Sequence, residues 1–168
     1  MATQRRGPND PPEHSAPVTP VRIAAALAKR GYVTQTTNAA VTGAWDGYDV
    51  TIRLTQPADR PGGPDDGVSD TAQPAHLVLE ARWGHTVPAE MRSAVHLALN
   101  DWNRQQLWPT GCLEADGEGY TAVARFVADT ADGLSNGQLL ITLDVGLRGA
   151  ISLLKALGTP ERRMEEDE

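Results

Sequence analysis

Residues 91–109, MRSAVHLALNDWNRQQLWP, read as an amphipathic helix that carries a Trp-Asn pair and stops before a proline. Apolar side chains at Met91, Ala94, Val95, Ala98, Leu99 and Trp102 keep the i, i+3, i+4, i+7 spacing of one helix face. Pro88 opens the helix, and what lies on either side alternates with the period of strands. Downstream, Cys112–Ala115 and Tyr120–Ala128 flank the turn residues Asp116-Gly117-Glu118-Gly119. Ser135-Asn136-Gly137-Gln138 then has the spacing of a capping box. It opens a helix of about 22 residues, roughly 33 Å at the usual rise, that ends at Gly158 with Pro160 beyond.

Upstream, Leu77, Leu79, Ala81 and Trp83 form one alternating strand. Before them stands a hairpin: Ala39, Val41, Gly43 and Trp45, then Asp46-Gly47 as a type I′ turn, then Tyr48, Val50, Ile52 and Leu54. An opening helix starts at Thr19-Pro20, carries Ile23, Ala24, Leu27 and Ala28, and closes at Gly31 as C′, with Tyr32 placed to pack on Leu27. The order is α-β-β-β-α-β-β-α. Meander strands separated by single helices predict an α+β layer, with one five-stranded antiparallel sheet packed with helices.

Three segments lack the apolar side chains that would offset ordering entropy: the arm 1–17, the insert 56–75 and the charged tail 159–168. A single domain is therefore expected over 18–158, with the insert as a flexible acidic excursion between two paired strands. The net charge of −7 resides in those appendages, because the insert and the tail each carry −3 and the arm sums to zero. A near-neutral core lacks the clustered Lys and Arg of a nucleic-acid surface. No apolar run approaches the ~18 residues that a membrane span needs. A single cysteine, Cys112, leaves no internal disulfide and points to the cytoplasm.

The early Leu27-Ala28-Lys29-Arg30-Gly31-Tyr32, the central Leu99-Asn100-Asp101-Trp102-Asn103 with Trp108-Pro109, and the closing Gly133-Leu134-Ser135-Asn136-Gly137-Gln138-Leu139-Leu140 resemble the YbjN family. Its members are bacterial proteins grouped as sensory transduction regulators, and the resemblance runs from about Val18 to Gly158. It implies a fold like that of the type III secretion chaperones, small α+β dimers that bind extended polypeptides. It also implies no catalytic set, metal or cofactor. The acidic insert is a departure from the family pattern.

Single residues give the same reading. Cys112 has no His or basic neighbour in sequence and reads as a buried small hydrophobe. His14, His76, His85 and His96 lack metal-ligand spacing, and Gly62-Gly63-Pro64-Asp65-Asp66-Gly67 fits neither a phosphate loop nor a calcium loop. An enzyme would have to assemble a site from Asp101, Cys112 and a histidine, whereas Asp101 and Asn103 read as ties at a helix end. The favoured function is a non-enzymatic protein- or peptide-binding module, with a homodimer as one form of partnership.

The closing helix is apolar over most of its circumference, and its charges fall on one narrow line, Asp144, Arg148 and Lys155. A helix on a sheet needs only about a 100° apolar stripe. The excess marks Leu147, Ile151 and Leu154, with Trp108 at the edge, as the candidate partner-binding residues. Gly146 and Gly149 would admit the close approach of another element.

Overall fold

The Thr19 hydroxyl accepts the Arg22 N–H and starts α1 (Pro20–Ala28). Gly31, at φ +83°, and Tyr32 return their N–H groups to Ala28 and Leu27, which is the expected Schellman closure. The computed structural model describes residues 14–55, 76–117 and 119–158. Residues 1–13 of the arm, the insert 56–75 and the tail 159–168 lie outside the described residues, so the expectations placed on them are not addressed. Ahead of Val18, Ala16 already pairs with Leu134, and Arg22 donates to the carbonyls of Ala16, Pro17 and Leu134.

The remaining elements follow in the expected order: β1 (Gln35–Thr36), β2 (Ala40–Trp45), β3 (Tyr48–Thr55), β4 (His76–Arg82), α2 (Arg92–Gln105), β5 (Thr110–Asp116), β6 (Gly119–Asp129) and α3 (Asn136–Leu157). They build one antiparallel sheet in the order β1-β2-β3-β4-β6-β5. The sheet has six strands where the sequence reading expects five. The extra strand, β1, is two exposed polar residues held to β2 by its backbone, so no apolar alternation announces it. Asp46 at φ 51° and Gly47 at φ 86° make the type I′ turn. Thr55 pairs with His76, so the insert does join two adjacent strands.

Alternation sorts the sheet into two unlike faces. Val41, Ile52, Leu79 and Phe126 stand opposite one another across four strands, with Gly43, Val50, Ala81, Ala124 and Gly111 as the parallel row. This apolar face meets Ile23 and Leu27 of α1, Val95 and Leu99 of α2, and Leu139, Leu143, Leu153 and Leu154 of α3 in one core. Contact is closest at two glycines. A Cβ on Gly111 would lie 2.6 Å from Leu99 Cδ2 and 2.9 Å from Leu153 Cδ1. One on Gly146 would lie 2.7 Å from Phe126 Cδ1 and 3.2 Å from Leu79 Cδ1. α2 is tied down at its far end, where the Asn103 amide donates to Gly111 O at 2.9 Å and accepts from Gly111 N at 2.8 Å. Beside it, half-buried Trp102 donates from Nε1 to Pro109 O at 3.1 Å.

Gly146→Ala tests this packing. Alanine inside a helix is worth about 1 kcal/mol over glycine, but a methyl pressed into the Phe126 ring costs about 1–3 kcal/mol. A net loss of about 1 kcal/mol is expected in urea denaturation. A gain would show that Phe126 withdraws freely and that α3 does not depend on this approach.

Candidate functional site

α3 separates two surfaces, each carrying residues singled out from sequence. On one flank, Leu147, Arg148, Ile151, Ser152 and Lys155 share a helix face at i, i+1, i+4, i+5 and i+8. This face looks across a cleft of about 400 Å³ at Tyr32, Ala44, Trp45 and Asp46. The aromatic rings of that wall are stacked obliquely, their centroids 5.5 Å apart. Trp45 is buried because its six-membered ring lies over Gly43, where a Cβ would stand 2.8 Å from it. Its indole Nε1 is also buried and has no hydrogen-bond partner among the described residues.

Two of the three charges on the α3 line tie the walls together. Asp144 accepts from Arg30 at 2.5 Å, and Lys155 donates to Asp46 at 2.7 Å. The hydrogen bond and charge of Asp46 hold the Lys155 pKa above its ordinary value. Arg148, between them on the same line, is exposed and has no ion pair among the described residues. Sequence reading placed these three charges on one narrow line of the helix without assigning them partners. The complementary charges, Arg30 just before Gly31 and Asp46 just before Gly47, were the signal that it crosses to a neighbour.

On the opposite flank, Trp108 is 55% exposed and sets its ring edge-on to Phe126, centroids 6.2 Å apart. A cis peptide joins it to Pro109, which abuts Gly149 of α3. Ile141 and Val145 lead to Gly149 at four-residue steps, and both are exposed. The four candidate partner residues are therefore split. Trp108 is on this surface, Leu147 and Ile151 line the cleft from within the core, and Leu154 is fully enclosed.

The second sheet face carries a charged network. Glu80 accepts from Arg53 at 2.5 Å and from Arg125 at 2.6 Å, and Glu114 accepts from Arg125 at 2.8 Å and from Arg82 at 2.9 Å. Burial pushes the Glu80 carboxyl up, but the hydrogen bonds and charges of Arg53 and Arg125 outweigh it and hold its pKa below the ordinary 4.5. Cys112 lies on this face too, its thiol 3.7 Å from Val123 O, and burial raises its pKa. Such a thiol is held away from the reactive thiolate.

Asp101 pairs with Arg104 on α2, across the sheet from Cys112. His85 stacks edge-on with Trp83, His76 opens β4 at the Thr55 pair, and His14 and His96 are exposed. Asp101 and Cys112 thus sit on opposite sides of the sheet, and His76, on the Cys112 face, pairs six residues further along β6. Among the described residues no group of three or more His, Cys, Asp or Glu could hold a metal ion, and no helix is long and apolar enough to cross a membrane.

A family profile, YbjN, described as "Putative bacterial sensory transduction regulator", matches residues 70–158, more than half of the chain. The chain belongs to the YbjN family. The crystal structure of YbjN, "a putative transcription regulator from E. coli", superposes with a TM-score of 0.57, covering 80% of this chain and 87% of that one at 14% identity. That likeness carries the fold. No curated protein matches the sequence. The YbjN profile takes in α3 and Trp108, whereas Arg30, Tyr32, Trp45 and Asp46 of the facing wall precede the matched stretch.

Glu80→Gln is expected to cost about 1–2 kcal/mol at neutral pH, less than a fully buried pair, because both arginine partners are partly exposed. A carboxyl whose pKa is lowered by folding contributes stability above its unfolded value, and that contribution disappears as pH falls through the folded one. The gap between wild type and variant in urea midpoint should therefore be full near pH 7 and narrow below pH 4.5. A gap that stays constant down to pH 3 would remove the network from the stability of the fold.

Proposed function

We propose that the chain is a non-enzymatic, chaperone-like regulatory module of the cytoplasm that acts by binding a protein or peptide. The observation that carries this reading is the apolar surface beside Trp108. Ile141 is 65% exposed, Val145 42% and Leu107 81%, and all four side chains belong to α3 or to the turn that abuts it. Tryptophan is enriched among the anchors of protein interfaces, and an exposed apolar patch of this kind marks an interaction surface more often than a neutral one. The family's description as regulators of sensory transduction agrees with a binding role. Partners in this class are polypeptides that present apolar side chains, a second copy of the chain included.

Ile141→Glu combined with Val145→Glu tests the proposal without touching the core. The wild type should retain a polypeptide from a lysate of its host, or self-associate in sedimentation equilibrium at micromolar concentration. The double variant, with an unchanged melting temperature, should do neither. Equal retention and equal association by both proteins would refute the assignment of this surface.

A further inference from the structure

We propose that the cleft between α3 and the Tyr32–Trp45 pair is a binding site for a small amphipathic acid, an apolar body carrying one carboxylate. Its volume, about 400 Å³, lies in the range of roughly 300–1,000 Å³ typical of small-molecule sites. The floor and walls are apolar and aromatic: Ala44, Trp45, Tyr32, Leu147 and Ile151.

The polar groups around them are chiefly donors. Of the three charges on the α3 line, Asp144 and Lys155 are consumed in ties to Arg30 and Asp46, at 2.5 and 2.7 Å, one toward each end of the line. Arg148, between them, keeps a guanidinium with no carboxylate among the described residues. Guanidinium is a fork of N–H donors with no acceptor, and it matches a carboxylate with two parallel hydrogen bonds. The cleft is also lined by the indole of Trp45, whose enclosed Nε1–H has no acceptor among the described residues. Buried donors in folded proteins are almost always satisfied, and an acceptor entering the cleft would reach this enclosed one with a tilt of the indole. Ser152 adds a hydroxyl at the same face. One free cation, an orphan N–H and an aromatic wall favour an apolar anion over a cation or a sugar. Arg148 and Ser152 adjoin Val145 and Ile141 along the exposed side of α3, so the two assignments are told apart by their readouts, phenylbutyrate titration for this cleft and polypeptide retention for the surface beside Trp108.

The test uses the full chain and two probes that share an apolar body and differ in charge, 4-phenylbutyrate and 4-phenylbutylammonium. Calorimetric titration is combined with ¹⁵N–¹H spectra that resolve the Trp45 indole N–H, assigned by its loss in Trp45→Phe. Phenylbutyrate should bind and move that resonance, and the ammonium probe should bind at least tenfold more weakly. Arg148→Gln, which breaks no ion pair among the described residues, should lower phenylbutyrate affinity at least tenfold with an unchanged melting temperature. An unmoved indole resonance at millimolar phenylbutyrate, equal binding of the two probes, or an Arg148→Gln protein that binds as well as wild type would overturn the proposal. Binding that appears only when Glu165, Glu166, Asp167 and Glu168 are neutralised together would give the cleft to the chain's own tail and overturn it as well.

Discussion

A helix as apolar as α3 cannot lie on a sheet by a single stripe, and the chain accommodates it by removing side chains where contact is closest. Gly146 lets the Phe126 ring and Leu79 reach the helix backbone, and Gly111 lets Leu99 and Leu153 meet over β5. Each glycine in a helix sacrifices about 1 kcal/mol of helix propensity. The dispersion and burial gained by a ring and several leucines packed at interior density exceed it, at roughly 1.5–3 kcal/mol per fully buried side chain. With α3 seated, α1 and α2 have a core to close over, and the order of the sheet follows from which strands present Phe126, Leu79 and Ile52 to it.

Charge is used differently on the two sides of this frame. On the open sheet face, Arg53, Glu80, Arg125, Glu114 and Arg82 pair in sequence across four strands, so each carboxylate is shared by two guanidinium groups. That arrangement lets Glu80 stay ionised although its side chain is only 9% exposed. On the helix side the ion pairs are single and exposed, and solvent screening leaves them little weight in stability. The contribution of Arg30–Asp144 and Lys155–Asp46 is one of placement, since they set the spacing of two walls that the apolar contacts already bring near.

Much of this was legible in the chain. The Thr19 cap, the Schellman closure at Gly31, the Asp46-Gly47 turn and the Ser135–Gln138 capping box are local chemistry, and local chemistry is written in adjacent residues. The stripes of Val41, Val50, Leu79 and Leu99 likewise fixed which faces turn inward. What stayed hidden depends on partners far apart in sequence. β1 is held by backbone hydrogen bonds to β2 and carries no pattern of its own. Leu147 and Ile151 face Tyr32 and Trp45, more than a hundred residues earlier, and Leu154 is closed into the core. Counting apolar residues around α3 gave the size of its excess surface but not which neighbour would cover it.

The two surfaces that α3 leaves open are separated by its own cross-section. Leu147 and Ile151 face the Tyr32–Trp45 wall, while Gly149 faces Pro109, and rotation of the helix would have to carry both sides at once. Such a rotation is opposed where Phe126 wedges against Gly146, because the backbone there has no side chain to move aside and interiors packed at crystal density do not yield by degrees. A substitution on one flank that keeps the Phe126 contact leaves the other in place. Along the exposed crest of α3 the two surfaces meet, because Arg148 stands three residues from Val145 and seven from Ile141 on one helix face.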